Sequence, residues 1–416
     1  MIEMLAEPPV RGAEQRCRTG LYAPAAQPSQ SRSGRKGRSP MKRVLLIAVV
    51  SVVALLILVA AGGPLLKALG VQGLFMIEPG SGHLRLVRAT VEPGSLPELV
   101  HGAAPALSGD AKPMIIDTDM ADDDWMAGLY LLRRPDVDVK AITVAGTGEA
   151  HCRPGAQNAL DLAGLAGRPG IPVACGSETP LPGGHPFPSA WRERVDSLFG
   201  LSIPRNANTP YAGSAVELLS RVVEQSPQRV HLVVLGPLTN VAQAIEDGPG
   251  LVDNLERITI MGGAVNVPGN VGASSNSGND LAEWNIYADP RAAAVVLGSG
   301  APITLVPLDA TQHVPVTTGF LKKLRHDRRT PAAEFVYRVL TQKESDIRSG
   351  SYYFWDPFAA AVGTDEILAV FEEMALIVVE EEGPQSGRKP VRVANSADAA
   401  GFERLFLDTL NNGRLP

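Results

Sequence analysis

An open, mainly parallel α/β sheet, doubly wound by helices on its two faces, is predicted for residues 113–416, preceded by one transmembrane helix. Short β-branched runs recur along this part with helical stretches between them, and strand, helix, strand over about thirty residues is a βαβ unit. Most of the runs are continuously apolar rather than alternating, as expected of strands buried on both faces. A dense group of acids follows the first run directly, where ligands bind in such sheets.

The 416 residues carry 38 Lys and Arg against 44 Asp and Glu, with only 3 Cys and 5% aromatic residues. This composition excludes a collagen-like chain, a disulfide-stapled mini-protein and a polytopic membrane protein. The formal charge of −6 argues against a nucleic-acid binder, which needs a basic surface. The charge is unevenly spread. Residues 1–43 hold nine Lys and Arg against three Asp and Glu, about +6, and the remainder carries about −12.

Rich in Ser, Arg, Pro and Gly without periodicity, residues 1–43 read as a disordered cytoplasmic head. Residues 44–62, VLLIAVVSVVALLILVAAG, are long enough to cross a bilayer core. The basic cluster Arg32, Arg35, Lys36, Arg38, Lys42 and Arg43 just before the run predicts a membrane anchor with everything after it outside the cytoplasm. A cleaved signal segment starting at Met41, with Ala60–Gly62 as the cleavage zone, is the alternative and predicts secretion. Residues 63–112 read as a linker.

The predicted strands are Met114–Ile116, Val137–Val144, Ile171–Ala174, Val230–Leu235, Ile258–Met261, Ile303–Val306 and Met374–Val379, with a helix over Trp125–Arg134 after the first. Asp117, Asp119, Asp122, Asp123 and Asp124 fall within eight residues at the first strand-to-helix turn. One or two Asp suit a helix start, but five need a cation or protons to offset them, which points to a hard divalent ion bound by oxygens. Further ligands are expected after the strand ending at Leu235 and at Asp356, which precedes Pro357 at a helix start.

The DTDxxxDD block at Asp117–Asp124, LGPLTN at Leu235–Asn240, AEWNIYADP at Ala282–Pro290 and Trp355-Asp356-Pro357 together resemble the inosine-uridine-preferring nucleoside hydrolase family over roughly residues 113–410. The resemblance implies Ca²⁺-dependent hydrolysis of ribonucleosides to ribose and free base. It implies Asp119, Asp124, Asp356 and the Leu235 carbonyl as Ca²⁺ ligands, with Asp119 also the general base on an activated water. It further implies Asp123 at the ribose 2′-hydroxyl, Glu283 and Asn285 at the sugar 5′ side, and a homo-oligomer. The chemistry is coherent, because a carboxylate-rich pocket stabilises an oxocarbenium-like state.

Departures from the family pattern carry their own expectations. Glu149 stands where an Asn is usual and is expected to accept from a sugar hydroxyl. Trp355 replaces a frequent His before the last Asp; an indole stacks on a base, which predicts a purine rather than a pyrimidine. Trp125 and Trp284 are expected in the core. Asn279, Asn270 and Asn276 compete for one sugar contact, in the order Asn279 then Asn270. His185 lies in a loop able to close over substrate and is a candidate acid for the leaving base. His151, Cys152, Cys175 and His185 offer zinc-type ligands but lack paired short spacing. Cys152 and Cys175 can instead form a disulfide outside the cytoplasm, and Cys175 fits a buried thiol equally well. Two rivals remain. A metal-dependent phosphohydrolase needs a Lys near its phosphate, and no motif block contains one; a non-catalytic nucleoside receptor would keep the same sugar site.

Overall fold

The computed structural model describes residues 104–275, 277–380, 383–385 and 390–412, with the strand residues 76–77 and 84–85. The basic head, the apolar run 44–62 and Asn276 lie outside the described residues. Among the described residues no helix is long and apolar enough to cross a membrane. Met76–Ile77 pairs antiparallel with Leu84–Arg85 inside the predicted linker.

Eight strands form the main sheet: β1 (Lys112–Thr118), β2 (Val137–Val144), β3 (Val173–Cys175), β4 (Val230–Val234), β5 (Leu255–Met261), β6 (Ile303–Val306), β7 (Ala369–Ala375) and β8 (Pro390–Ala397). Their spatial order is β3-β2-β1-β4-β5-β6-β8-β7, with every neighbouring pair parallel except β8 with β7. β1 is buried from Pro113 onward, and its alternate side chains enter opposite layers: Met114 and Ile116 one, Ile115 the other.

Helices α1 (Asp122–Leu132) and α2 (Cys152–Leu165) cover the first layer, joined later by α6 (Trp355–Thr364) and α7 (Ala399–Asn412). Helices α3 (Ala215–Gln225), α4 (Thr239–Asp247) and α5 (Pro290–Gly298) cover the second. Local sequence sets their ends: Ser214 and Glu217 form a capping box on α3, and Asp289 caps α5 ahead of Pro290. The chain therefore winds outward from β1 to β3 on one face and returns to β4 on the other. The switch point lies between β1 and β4, where a doubly wound sheet opens a crevice at its strand ends.

Three expectations need correction. α1 spans Asp122–Leu132 rather than Trp125–Arg134, so three acids occupy its first turn, where they favour the helix dipole. The third strand is Val173–Cys175. The expected buried strand at Met374–Val379 is instead the antiparallel strand β7, Ala369–Ala375, whose exposed Glu372 and Glu373 break the apolar pattern, followed by a short hairpin strand Val378–Glu380. β8, which inserts between β6 and β7, has no continuous apolar run to announce it.

Candidate functional site

At the carboxyl ends of β1 and β4 opens a cavity of about 650 Å³ that contains Asp119, Asp123, Asp124, Glu149, Leu235, Glu283, Asn285, Trp355 and Asp356 in its wall. Sequence-distant blocks thus meet at the switch point. The turn after β1 is held by its own polar groups. Thr118 Oγ1 accepts from Met120 N at 2.9 Å and donates to Asp124 Oδ1, which also accepts from Asp119 N at 3.2 Å. Trp125 Nε1 donates to Met120 O at 2.7 Å. These contacts hold Met120 at φ 61°, a left-handed conformation costing a non-glycine residue on the order of 1–3 kcal/mol.

Asp119 is clamped between two loops. Its Oδ1 accepts from Ala121 N at 3.3 Å and its Oδ2 from Glu149 N at 3.0 Å. Gly148 and Gly236 make this approach possible, since a Cβ on Gly236 would stand 2.7 Å from Asp119 Cβ and one on Gly148 would stand 2.6 Å from Asp119 Cγ.

The five acids of the first block divide. Asp117 lies behind the cavity, where its Oδ2 accepts from Thr143 Oγ1 and from Asn240 Nδ2 at 2.9 Å, so the LGPLTN block braces the acid block. Asp122 is paired with Lys343 Nζ at 2.7 Å and accepts from the Tyr352 hydroxyl. Asp119, Asp123 and Asp124 are left for a ligand. One carboxylate oxygen each of Asp123, Asp124 and Asp356 lies within 4.8 Å of the other two.

Among the described residues, no protein donor reaches the buried Asp124 Oδ2 or Asp356 Oδ1. Burial, followed by neighbouring negative charge, holds the carboxyls of Asp124 and Asp356 well above their ordinary range and brings Asp123 to about 7. Burial also raises Asp119 and Glu149, and around Glu149 the charges of Asp122, Asp119 and Asp123 add to the effect. Buried carboxylates with unused oxygens converging on one point fit a hard divalent cation, which satisfies the oxygens and offsets the charge together.

The AEWNIYADP block builds the part of the wall expected to meet the sugar. Glu283 caps the helix Trp284–Ala288: Oε1 accepts from Asn285 N at 3.0 Å, while Oε2 accepts from Ile286 N at 3.2 Å and Gly263 N at 2.8 Å. Asn285 Nδ2 donates to Leu235 O at 3.1 Å and to Met261 O at 3.2 Å, fixing the strand-end carbonyl expected to bind the cation. A carbonyl oxygen retains a second lone pair after one such bond.

Asn270, rather than Asn279, lines the cavity, with its Oδ1 accepting from Trp284 N at 3.1 Å. Asn279 lies outside the lining and folds its side-chain oxygen onto Leu281 N and Ala282 N, closing its own turn. His185 also lies outside the lining: it stacks on Tyr287 at 4.0 Å and its Nδ1 is 3.0 Å from Tyr287 O. Trp125 and Trp284 are both buried in the core as expected, and Trp284, packed 4.7 Å from Phe187, also reaches the cavity wall. Trp355 stands beside Tyr352 at 5.3 Å and Tyr353 at 5.7 Å.

The zinc grouping does not form: Cys152 and Cys175 are joined as a disulfide with Cα atoms 5.4 Å apart, and His151 Nδ1 is 2.6 Å from Asp196 Oδ2. Sequence reasoning missed Lys343 and Tyr352, which enter the wall from a segment with no local motif. Only their pairing with Asp122, visible in the fold, marks them.

Residues 114–404 match the family described as inosine-uridine preferring nucleoside hydrolase. The chain is 37% identical over 216 residues to uridine nucleosidase 1 of Arabidopsis thaliana, covering 52% of this chain and 62% of that protein. It is 37% identical over 215 residues to a probable uridine nucleosidase 1 of Oryza sativa, covering 52% and 64%. The matched part thus spans less than two-thirds of either relative's length. Among solved structures, a plant nucleoside hydrolase superposes with a TM-score of 0.62 at 28% identity, covering 72% of this chain and 99% of that one. The purine-preferring ribonucleoside hydrolase of Gardnerella vaginalis gives 0.60 at 26%, covering 73% and 99%.

Proposed function

The chain belongs to the inosine-uridine preferring nucleoside hydrolase family, and from that premise we propose that it hydrolyses the N-glycosidic bond of ribonucleosides, using Ca²⁺ and Asp119 as general base. The observation that carries this reading is the pair of buried carboxylate oxygens, Asp124 Oδ2 and Asp356 Oδ1, left without a protein donor beside Asp119. Asp119, Asp124, Asp356 and the Leu235 carbonyl hold the cation. A cation bound there supplies positive charge that lowers the pKa of water and neutralises the surrounding acids.

The protein's own groups do the rest. Asp119, fixed by the N–H groups of Ala121 and Glu149, takes a proton from the water that attacks C1′. Carboxylates around the ribose stabilise the positive charge developing on the sugar. Asp123 and Glu149 accept from ribose hydroxyls, Asn270 takes the contact expected of Asn279, and Glu283 and Asn285 form the 5′ side. Trp355 offers its face to the base. With His185 turned onto Tyr287, the departing base needs another partner.

The names of related proteins include both uridine and purine-preferring hydrolases, so purine and pyrimidine nucleosides both belong in the test. We further propose that residues 44–62 tether the enzyme with its catalytic unit outside the cytoplasm. The preceding basic cluster supports this, as does the Cys152–Cys175 disulfide, since disulfides persist in oxidising compartments.

The phosphohydrolase rival gains a lysine in the cavity, but Lys343 is one cation paired with Asp122 in a wall that also holds Asp119, Asp123, Asp124 and Glu149, which disfavours a phosphate dianion far more than a singly charged leaving group. Incubation with inosine, adenosine, uridine and the matching 5′-nucleotides, scored for reducing sugar and for inorganic phosphate, tests the reading. Ribose release is expected. Phosphate release, or saturable binding without turnover, would overturn it.

A further inference from the structure

Of the two cationic side chains lining the cavity, Arg194 is exposed, whereas the Lys343 side chain is only 18% accessible. Lys343 stands at the joint of two helices. It follows the helix Pro331–Gln342, its N–H donates to Leu340 O at 3.2 Å, and its own carbonyl accepts from Ile347 N at 2.9 Å in the next helix. Asp122 accepts one of its three ammonium donors at 2.7 Å, and the rings of Phe199 and Tyr352 wall the ammonium at 4.8 and 5.3 Å from their centroids. The same Tyr352 ring packs edge-on against Trp355 at 5.3 Å. A lysine held by Asp122 thus shares a wall with the indole that faces the base.

We propose that Lys343 is the leaving-group residue of this site, donating a hydrogen bond to a carbonyl oxygen of the base stacked on Trp355. The proposal rests on the ribohydrolase reading and supplies the partner that His185 does not. When the C1′–N bond breaks, its electron pair moves onto the base, whose oxo group delocalises the charge. Water oxygen bonds to C1′ and its proton goes to Asp119. The base leaves as an anion held through its oxygen by the ammonium, and takes a proton from solvent on release. Aimed at the oxo group that uracil carries at C4 and hypoxanthine at C6, such a donor favours these bases over cytosine and adenine, which present an amino group at that position, because two donors facing each other leave both unpaired.

The bland alternative is that Lys343 only neutralises Asp122. Values of kcat/KM for the wild type, K343M and the double variant D122N/K343M separate the two, measured with uridine, inosine, cytidine, adenosine and 4-nitrophenyl riboside. The last substrate releases a stable phenolate that needs no donor. In both variants uridine and inosine are expected to fall on the order of 10- to 100-fold, while 4-nitrophenyl riboside stays within about threefold. Equal losses on every substrate, or unchanged turnover of uridine and inosine, would overturn the proposal. A wild type that releases ribose from none of them would overturn the ribohydrolase reading itself. Should K343M fail to fold, the double variant still decides, because it leaves neither buried charge unpaired.

Discussion

Replacing Gly148 with alanine should disable the site without touching a charged group. Gly148 lies in the loop after β2, where its N–H donates to Ala145 O at 3.1 Å, and the next residue's N–H holds Asp119 Oδ2 at 3.0 Å. A Cβ there would stand 2.6 Å from Asp119 Cγ, well inside contact distance. Either Asp119 swings away or the loop lifts, and both break the Glu149 N–H bond. Overpacking of this kind costs about 1–3 kcal/mol of stability, and moving a catalytic group by about 1 Å costs on the order of 100-fold in rate. Gly128 is the matched control. It lies within α1 and a Cβ there meets nothing within 4 Å, so Gly128→Ala should add about 0.5–1 kcal/mol through helix propensity with unchanged turnover. Urea unfolding and kcat/KM on the best nucleoside read both effects. If Gly148→Ala turned over like the wild type, Asp119 would not need the position assigned to it.

Three other perturbations probe separate parts of the account. Trp355→Ala removes the stacking face and should raise KM about tenfold, since base stacking is worth roughly 1–3 kcal/mol; an unchanged KM would take Trp355 out of the base site. Asp356→Asn keeps the shape of the carboxyl but removes its charge, and calorimetric titration should show Ca²⁺ affinity lowered at least about tenfold; equal affinity would place the ion elsewhere. His231 is buried on β4 with Nε2 2.8 Å from Thr259 Oγ1, and burial lowers its pKa from 6.5 to about 3. The unfolded chain therefore binds a proton below about pH 6.5 that the folded chain refuses. The His231 share of stability is present above that pH and is lost toward pH 3, at up to about 1.4 kcal/mol per pH unit. His231→Asn should show a shallower loss between pH 6.5 and 4, and identical slopes would contradict the assignment.

The parallel part of the sheet was legible because strands buried on both faces are written as unbroken apolar runs, as in Val230–Val234 and Ile303–Val306. The last two strands were not. β7 exposes Glu372 and Glu373, and β8 interleaves Arg392 and Asn395 with its apolar residues. The acidic block announced a cation site, yet sequence spacing could not show that Asp117 lies behind the cavity and that Asp122, though in its wall, is taken up by Lys343 and Tyr352. Nearness in sequence favoured Asn279 over Asn270, but the loop carries Asn270 against Trp284 and leaves Asn279 closing its own turn. Lys343 and Tyr352 had no local signature, because their role depends on a partner more than 200 residues away in the chain. The cysteines alone fit a disulfide and a buried thiol equally, and the packing of strand β3 beside the start of α2, which brings Cys175 to Cys152, distinguishes the two.

The central claim is a cation-assisted ribohydrolase that works through Asp119, and its most direct test is ribose release from inosine and uridine by the wild type and by Asp119→Ala, each dialysed against chelator and then given Ca²⁺. The wild type is expected to lose turnover on chelation and to regain it with Ca²⁺, while Asp119→Ala stays inactive in both states. Ribose release that persists in Asp119→Ala, or that ignores the chelator, would contradict it.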